Sequence, residues 1–279
     1  MAATFQPFTD ESLRIAANLE QRHDAWIESV RRLDALPSSM FWVAKGEREY
    51  LGVKRNTSDP GTTEGVRSAE TEARIADYQR ERESARSTLS TTEAALHDII
   101  RQYKALRLPI ATPMPARILR ELDIEGLLGA DLMLVGTNAF AAYEIAATSR
   151  FPPEAIAETE DFDMAWCRGS SISLSGANAK PVGAPVMRAL RNVDAQFRIN
   201  ARKPYQALSA DGYQVELLVA PSLFRTFSDD EPFKPLAAFQ EQEWLLRGTP
   251  VRAVIVSRDN KTCPIFAPDP RWMALHKLW

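Results

Sequence analysis

Two aspartates in the second half of the chain have a spacing suited to holding a divalent cation. Asp161 and Asp163 flank Phe162 within the segment TEDFDMAW. In a β-strand, residues i and i+2 point to the same face, so both carboxylates would lie together. Carboxylates that close disfavour each other's ionised form unless a cation neutralises them, and Mg²⁺ binds a few carboxylates plus waters and substrate phosphates. The alternative is two surface aspartates at the start of a strand.

Two further features lie on either side of this pair. Upstream, the apolar run LMLV stops at Gly136-Thr137-Asn138 and passes into an Ala-rich amphipathic segment, which predicts a tight turn from strand to helix. Downstream, Glu216 interrupts the apolar strand YQVELLVAP. Purely structural roles exist for all of them. The glycine would permit the turn, its neighbours would cap the helix, and the glutamate would face solvent.

A glycine with a small hydroxyl residue at a strand-to-helix turn, then Asp-x-Asp, then a third acid resembles the polymerase-β-type nucleotidyltransferase superfamily. More narrowly, the chain resembles an uncharacterised bacterial nucleotidyltransferase family in VGTNAFAAYE, TEDFDMAW, YQVELLVAP and APDPRWMALHKLW. The resemblance covers residues 113–279. It implies an α/β (α+β) fold, in which a minimal nucleotidyltransferase core has a small mixed sheet with flanking helices.

The resemblance assigns three catalytic and metal-binding residues. Asp161 and Asp163 would ligate the nucleotide-bound metal, and Glu216 would complete a second site near the acceptor hydroxyl. The cofactor would be Mg²⁺ or Mn²⁺, since two such ions stabilise the attacking and leaving oxygens of an in-line displacement at the α-phosphate. Aspartate is commoner at the third position, and the extra methylene of Glu216 moves its carboxylate. Asp194 is a rival third acid, although it does not interrupt so clear a strand.

The resemblance also assigns nucleotide-binding residues. Gly136 and Thr137, with Asn138, would hold the triphosphate through backbone N–H groups at the positive end of the following helix. Apart from the resemblance, Arg198, Arg202 and Lys203 lie between the Asp-x-Asp pair and the third acid, so each is a candidate for a phosphate clamp. As ordinary surface charges they would need no such role.

Composition and motifs exclude several other classes of protein. The chain has 279 residues, 45% hydrophobic and 25% charged, with a formal net charge of −3, so nothing indicates a nucleic-acid coat. Two cysteines, Cys167 and Cys263, cannot build a disulfide framework. There is no Walker loop, no dinucleotide fingerprint and no apolar run long enough for a membrane span. We expect a cytoplasmic protein that does not contact membranes.

The chain divides into two predicted regions, with an accessory region at residues 1–112 and the nucleotidyltransferase-like domain at residues 113–279. In the accessory region, periodicity predicts a helix over residues 9–35, a hairpin in MFWVAKGEREYLGVK, a loop over 55–68 and a charged helix over 69–106. The absence of Gly and Pro predicts that this helix is continuous; the alternative is a split at STTE, residues 90–93, which has capping-box spacing.

The second region predicts shorter elements: helices at 116–122 and 138–147, strands at DLMLVG and DFDMAW, and hairpins at residues 211–212 and 259–260. A last helix begins near Pro270 without a stop signal before Trp279, so we expect the natural chain to continue.

We therefore predict an enzyme that moves a nucleoside monophosphate from an NTP to an acceptor hydroxyl and releases pyrophosphate. The acceptor class, whether tRNA, protein or small molecule, stays open, as does the preferred base. The alternative is a non-catalytic module that keeps the fold and binds a protein partner, with the long charged helix as the contact surface.

Overall fold

A computed structural model describes residues 5–56, 58–152, 161–167, 183–224, 233–237, 240 and 242–278; of residues 161, 183 and 242 it describes the backbone alone. Its contacts divide the chain into two compact units. One contains residues 21–98, and the other contains residues 1–20 and 99–279. No helix in the described part of the chain is long and apolar enough to cross a bilayer.

The elements follow one another in a mixed order of helices and strands. They are β1 (Gln6–Pro7), α1 (Asp10–Asp34), β2 (Ser39–Lys45), β3 (Arg48–Lys54), β4 (Thr62–Val66), α2 (Ala69–Ala105), β5 (Ile110–Ala111), α3 (Pro113–Ile124), β6 (Leu132–Leu134), a 3-10 turn (Thr137–Ala139), α4 (Phe140–Ala146), β7 (Ser149–Arg150), β8 (Asp161–Trp166), α5 (Gly183–Val193), β9 (Arg198–Asn200), β10 (Lys203–Leu208), β11 (Gln214–Val219), α6 (Pro221–Phe224), α7 (Gln242–Leu245), β12 (Val251–Ser257), β13 (Thr262–Ala267) and α8 (Pro270–Leu278).

The unit of residues 21–98 contains an antiparallel sheet of order β2-β3-β4, together with parts of α1 and α2. The predicted helix and hairpin are confirmed. The loop predicted over residues 55–68 is wrong in part, because residues 62–66 form β4 against β3. Every side chain of β4 is exposed, so the strand has no apolar alternation that the sequence could reveal.

The charged helix predicted over residues 69–106 is confirmed, since α2 is continuous from Ala69 to Ala105, and the alternative of a break at STTE is wrong. The two threonine hydroxyls of the STTE segment bond to carbonyls of their own helix instead of capping a new one. Thr91 Oγ1 donates to Ser87 O at 3.0 Å, and Thr92 Oγ1 donates to Leu89 O at 2.9 Å. Threonine in a helix has this option because its hydroxyl reaches the preceding turn.

The larger unit is built on a five-stranded sheet of order β6-β8-β11-β10-β9. β8 and β11 are parallel, and the other neighbours are antiparallel. One face of the central strands is core, because Phe162 and Met164 pair in register with Val215 and Leu217, and all four side chains are buried. The alternate residues, which include both Asp163 and Glu216, therefore belong to the opposite face.

A second sheet, of order β13-β12-β5, lies in the same unit. α3 packs on β13, and α4 packs on β12 with Ala142 and Tyr143 buried. The Tyr143 hydroxyl donates to Pro268 O at 3.1 Å and fixes the helix to the loop after β13. Mixed sheets with flanking helices confirm the predicted α+β class.

Candidate active site

The predicted acids lie on two adjacent parallel strands. Asp163 on β8 pairs in register with Glu216 on β11, and Asp161 pairs with Gln214 one step along. Residues in register on neighbouring strands share a face about 5 Å apart. The fold therefore brings Asp163 and Glu216 together, both half-buried, although 53 positions of sequence separate them. The side chain of Asp161 lies outside the described atoms.

The predicted turn lies directly against this pair of strands. Val135 N–H donates to Asp163 O at 3.0 Å, which continues the β6–β8 pairing to the residue before the turn. Gly136 follows with φ 77°. A Cβ atom there would lie 2.8 Å from Asp163 Oδ2. Both the left-handed φ and the close carboxylate demand glycine.

The element after the turn differs slightly from the prediction. The sequence predicts a helix over residues 138–147, whereas the structure has a 3-10 turn over Thr137–Ala139 followed by α4, a helix of seven residues. Thr137 and Asn138 are half-buried beside the acid-bearing strands. Their backbone N–H groups thus belong to a tight turn rather than to the first turn of a long helix.

The geometry of strand, glycine turn and paired acids agrees with one comparison with known proteins. A family model described as Nucleotidyltransferase matches residues 114–279. The chain belongs to this nucleotidyltransferase family. No curated protein and no solved structure is significantly similar to the chain.

The nucleotidyltransferase domain contains one site residue that the sequence reasoning missed. Gln206 on β10 lies directly opposite Glu216 and is 3% exposed. Its Nε2 donates to Glu216 Oε1 at 3.0 Å and to Gln214 Oε1 at 2.7 Å, while its Oε1 accepts from Asn200 Nδ2 at 2.7 Å. The sequence predicted the hairpin but not this pairing. A two-residue turn at Asp211-Gly212 would set Gln206 opposite Leu217, whereas the observed register centres on Asp211 and sets Gln206 opposite Glu216.

The predicted phosphate clamp lies on the far strands of the sheet. Arg198 begins the edge strand β9 and Lys203 begins β10, and both are exposed. β9 is three strands away from β8, which places the arginine backbone about 14 Å from the strand of Asp163. Their role in nucleotide binding stays a prediction.

The rival third acid has a local structural role. Asp194 Oδ1 accepts the Gln196 N–H at 2.9 Å, which forms an Asx turn after α5. It belongs to no strand of the sheet, whereas Glu216 lies in register with Asp163. The geometry thus favours Glu216 as the third acid.

The residues after Gly136 also line a cavity of about 140 Å³. Its polar lining includes Thr137, Asn138 and Glu144, and the rest is mostly apolar. Glu144 is 5% exposed and accepts the Phe151 N–H at 2.7 Å. Burial raises the pKa of this carboxyl above its ordinary value, because the ionised form loses its hydration.

The donor atoms at the sheet face fit a hard divalent cation. Carboxylate oxygens of Asp163 and Glu216 are the ligands that Mg²⁺ and Mn²⁺ prefer. Among the described side chains, no three His, Cys, Asp or Glu residues converge closely enough to hold a metal ion. The three-acid set includes Asp161, whose side chain is outside that part of the structure, so the metal site remains a prediction.

Proposed function

We propose that this nucleotidyltransferase moves a nucleoside monophosphate from an NTP to an acceptor hydroxyl and releases pyrophosphate in a Mg²⁺- or Mn²⁺-dependent reaction. The acceptor oxygen bonds to the α-phosphorus as the bond to the bridging oxygen of pyrophosphate breaks, and the hydroxyl proton leaves to solvent. The observation that supports it best is that the backbone of Gly136 lies close to the carboxylate of Asp163, and Asp163 pairs in register with Glu216.

Each residue of the site has a role that its position allows. The glycine lets backbone come close to the nucleotide phosphates, and Thr137 and Asn138 add N–H donors at the tight turn. Asp161, Asp163 and Glu216 would hold the metal ions, which supply charge stabilisation at the oxygens of the transferred phosphoryl group. Catalysis of this kind depends mainly on positioning and electrostatics, because the transition state is loose.

A binding experiment tests the proposal without knowledge of the acceptor. Each NTP is titrated calorimetrically, with and without Mg²⁺, into the parent chain, an Asp161→Asn, Asp163→Asn double variant, and an Asp211→Asn control at an exposed hairpin turn. We expect metal-dependent binding by the parent and the control, and its loss in a double variant that remains folded.

Two results would argue against the proposal. Metal-dependent NTP binding that survives in the double variant would exclude the two aspartates as ligands. Absence of NTP binding by the parent chain would favour the alternative, a module that has kept the nucleotidyltransferase fold without the activity.

A further inference from the structure

We infer that Gln206 is a positioning residue that holds Glu216 in the orientation needed to ligate the second metal ion. The inference rests on the proposed function and concerns a residue other than the three proposed metal ligands. Gln206 comes from β10, a strand that carries none of the predicted metal ligands.

The contacts of Gln206 fill its donor capacity. Both protons of Nε2 are used, one toward Glu216 Oε1 and one toward Gln214 Oε1. Asn200 fixes the other end by donating to Gln206 Oε1. An ionised carboxylate can only accept hydrogen bonds, so the amide must present its nitrogen to Glu216. The orientation of the side chain follows from this chemistry.

In this arrangement, Gln206 occupies only one of the two carboxylate oxygens of Glu216. Among the described residues, Oε1 accepts from Gln206 and Oε2 accepts no hydrogen bond. One oxygen is thus fixed while the other remains available to a metal ion. A neutral amide also orients the carboxylate without cancelling its charge, which an arginine or lysine at the same position would do.

The length of Glu216 explains why such a partner is useful. Glutamate has one more rotatable bond than aspartate, so ordering its carboxylate loses more side-chain entropy. Partners that hydrogen-bond metal ligands commonly change metal affinity or activity by about 10- to 100-fold. Gln206 is buried and paired in register, so it can restrict the longer side chain before any ligand arrives.

A purely structural role would give a different pattern of effects. The same hydrogen bonds link β9, β10 and β11, so their loss would lower the free energy of unfolding even if Gln206 had no role in metal binding. Such a loss would not depend on whether residue 216 is long enough to reach the amide. It would also not separate metal binding from NTP binding.

The test compares Gln206→Met, which keeps the length and removes the donors, with Gln196→Met, a control at an exposed position of the same unit. Mn²⁺ binding is measured by electron paramagnetic resonance with a non-hydrolysable NTP analogue, and the folded fraction is checked by urea unfolding. We expect two Mn²⁺ sites in the parent and the control. In Gln206→Met the weaker site should lose about tenfold in affinity.

Steady-state pyrophosphate release from the NTP, with water as the acceptor hydroxyl, gives a second readout. In Gln206→Met we expect kcat to fall about 10- to 100-fold while KM for the NTP changes less than about threefold. In a Glu216→Asp background, where the shorter side chain does not reach the amide, the same substitution should cost less than about threefold. If Gln206→Met does not fold, Asn200→Ala provides a milder variant with the same expected direction.

The failures are distinguishable. If the parent binds no Mn²⁺ with the analogue, the proposed function is wrong and the inference falls with it. If the parent binds two ions and Gln206→Met does the same, only the inference is overturned. An equal effect of Gln206→Met in the Glu216 and Glu216→Asp backgrounds would also overturn it.

Discussion

Two turns of the larger unit each place a glycine of positive φ beside an aspartate carboxylate, but the charges around the two carboxylates differ. Gly136 has φ 77°, and a Cβ there would lie 2.8 Å from Asp163 Oδ2. Gly248 has φ 86°, and a Cβ there would lie 2.6 Å from Asp269 Oδ2. In both places a left-handed glycine makes room for a carboxylate. The backbone motif alone therefore does not define an active site.

Protein donors surround the carboxylate at the second turn. Asp269 is 2% exposed and accepts from the Thr249 N–H at 3.1 Å and from Arg271 Nε at 2.9 Å. Arg271 holds the pKa of this carboxyl well below its ordinary value. Asp269 O also accepts the N–H groups of Trp272 and Met273, so the residue caps the start of α8.

The first turn has like charges nearby. Asp163 is half-buried, lies in register with Glu216, and shares its strand with Asp161. A divalent cation bound between such carboxylates would offset their mutual repulsion. The neighbours of the carboxylate, rather than the glycine turn, therefore distinguish a structural cap from a candidate metal site.

The largest expected effect concerns Asp163, whose substitution should impair catalysis, whereas substitution of Asp269 should impair stability. Asp163→Asn should reduce nucleotidyl transfer at least about 10³-fold, because removing a metal ligand loses several kcal/mol of charge stabilisation. The free energy of unfolding should change by less than about 1 kcal/mol, since the substitution relieves like-charge repulsion. Pyrophosphate release and urea unfolding measure the two quantities. A large loss of stability without loss of transfer would erase the distinction between the turns.

The converse substitution should affect stability alone. Asp269→Ala should lower the free energy of unfolding by about 3 kcal/mol, because it removes a buried charge-assisted cap and leaves its donors unpaired. Metal-dependent NTP binding by the folded fraction should be unchanged. Calorimetry at a temperature where both proteins are folded checks this, and weaker NTP binding would show that the two turns are coupled.

The pH dependence of that effect has a defined sign. The folded-state pKa of Asp269 is lower than the unfolded value of 3.8, so its stabilisation is present above that value and is lost as the pH falls through the folded pKa. The difference between parent and Asp269→Ala should be constant from about pH 5 to 8 and shrink on acidification. Urea unfolding at several pH values measures it, and a difference that grows on acidification would contradict the assignment.

The two glycines should respond alike in stability and differently in binding. Gly136→Ala and Gly248→Ala should each lower the free energy of unfolding by about 1–2 kcal/mol, because alanine is strained at positive φ and its Cβ displaces a carboxylate. NTP affinity should fall about tenfold or more in Gly136→Ala only, since that turn borders the proposed site. Equal NTP affinities in the two variants would contradict the assignment of the first turn.

The smallest expected effect concerns Glu144, a carboxyl whose pKa is raised by burial more than it is lowered by the Phe151 N–H and the nearby Arg150. The stability that the protonated Glu144 contributes is therefore fully present below the unfolded pKa of 4.5 and is lost as the pH rises through the folded pKa. Glu144→Gln keeps an acceptor for the Phe151 N–H and removes the charge. It should raise the free energy of unfolding at pH 7 by about 0.5–1 kcal/mol and change it less at pH 4. A destabilised variant at pH 7 would show that the ionised form is the favoured one.

The sequence predicted the elements that have a local signal. Apolar alternation and turn residues identify β10, β11, β12 and β13, and helical spacing identifies α1 and α3. β4 has only exposed residues, so its pairing with β3 has no signal in a single strand. The STTE segment had a capping signal, but the helix around it continued because tertiary packing and intrahelical bonds outweigh a local preference.

The chain by itself determined the residue types of the candidate site, namely a glycine turn, an Asp-x-Asp strand and a third acid, because these depend on local backbone geometry and side-chain chemistry. Only the tertiary structure decided which of them meet. Strand register sets Asp163 beside Glu216 and sets Gln206 opposite that glutamate. Register depends on hydrogen bonds between distant segments, so the spacing of residues along one segment does not reveal it.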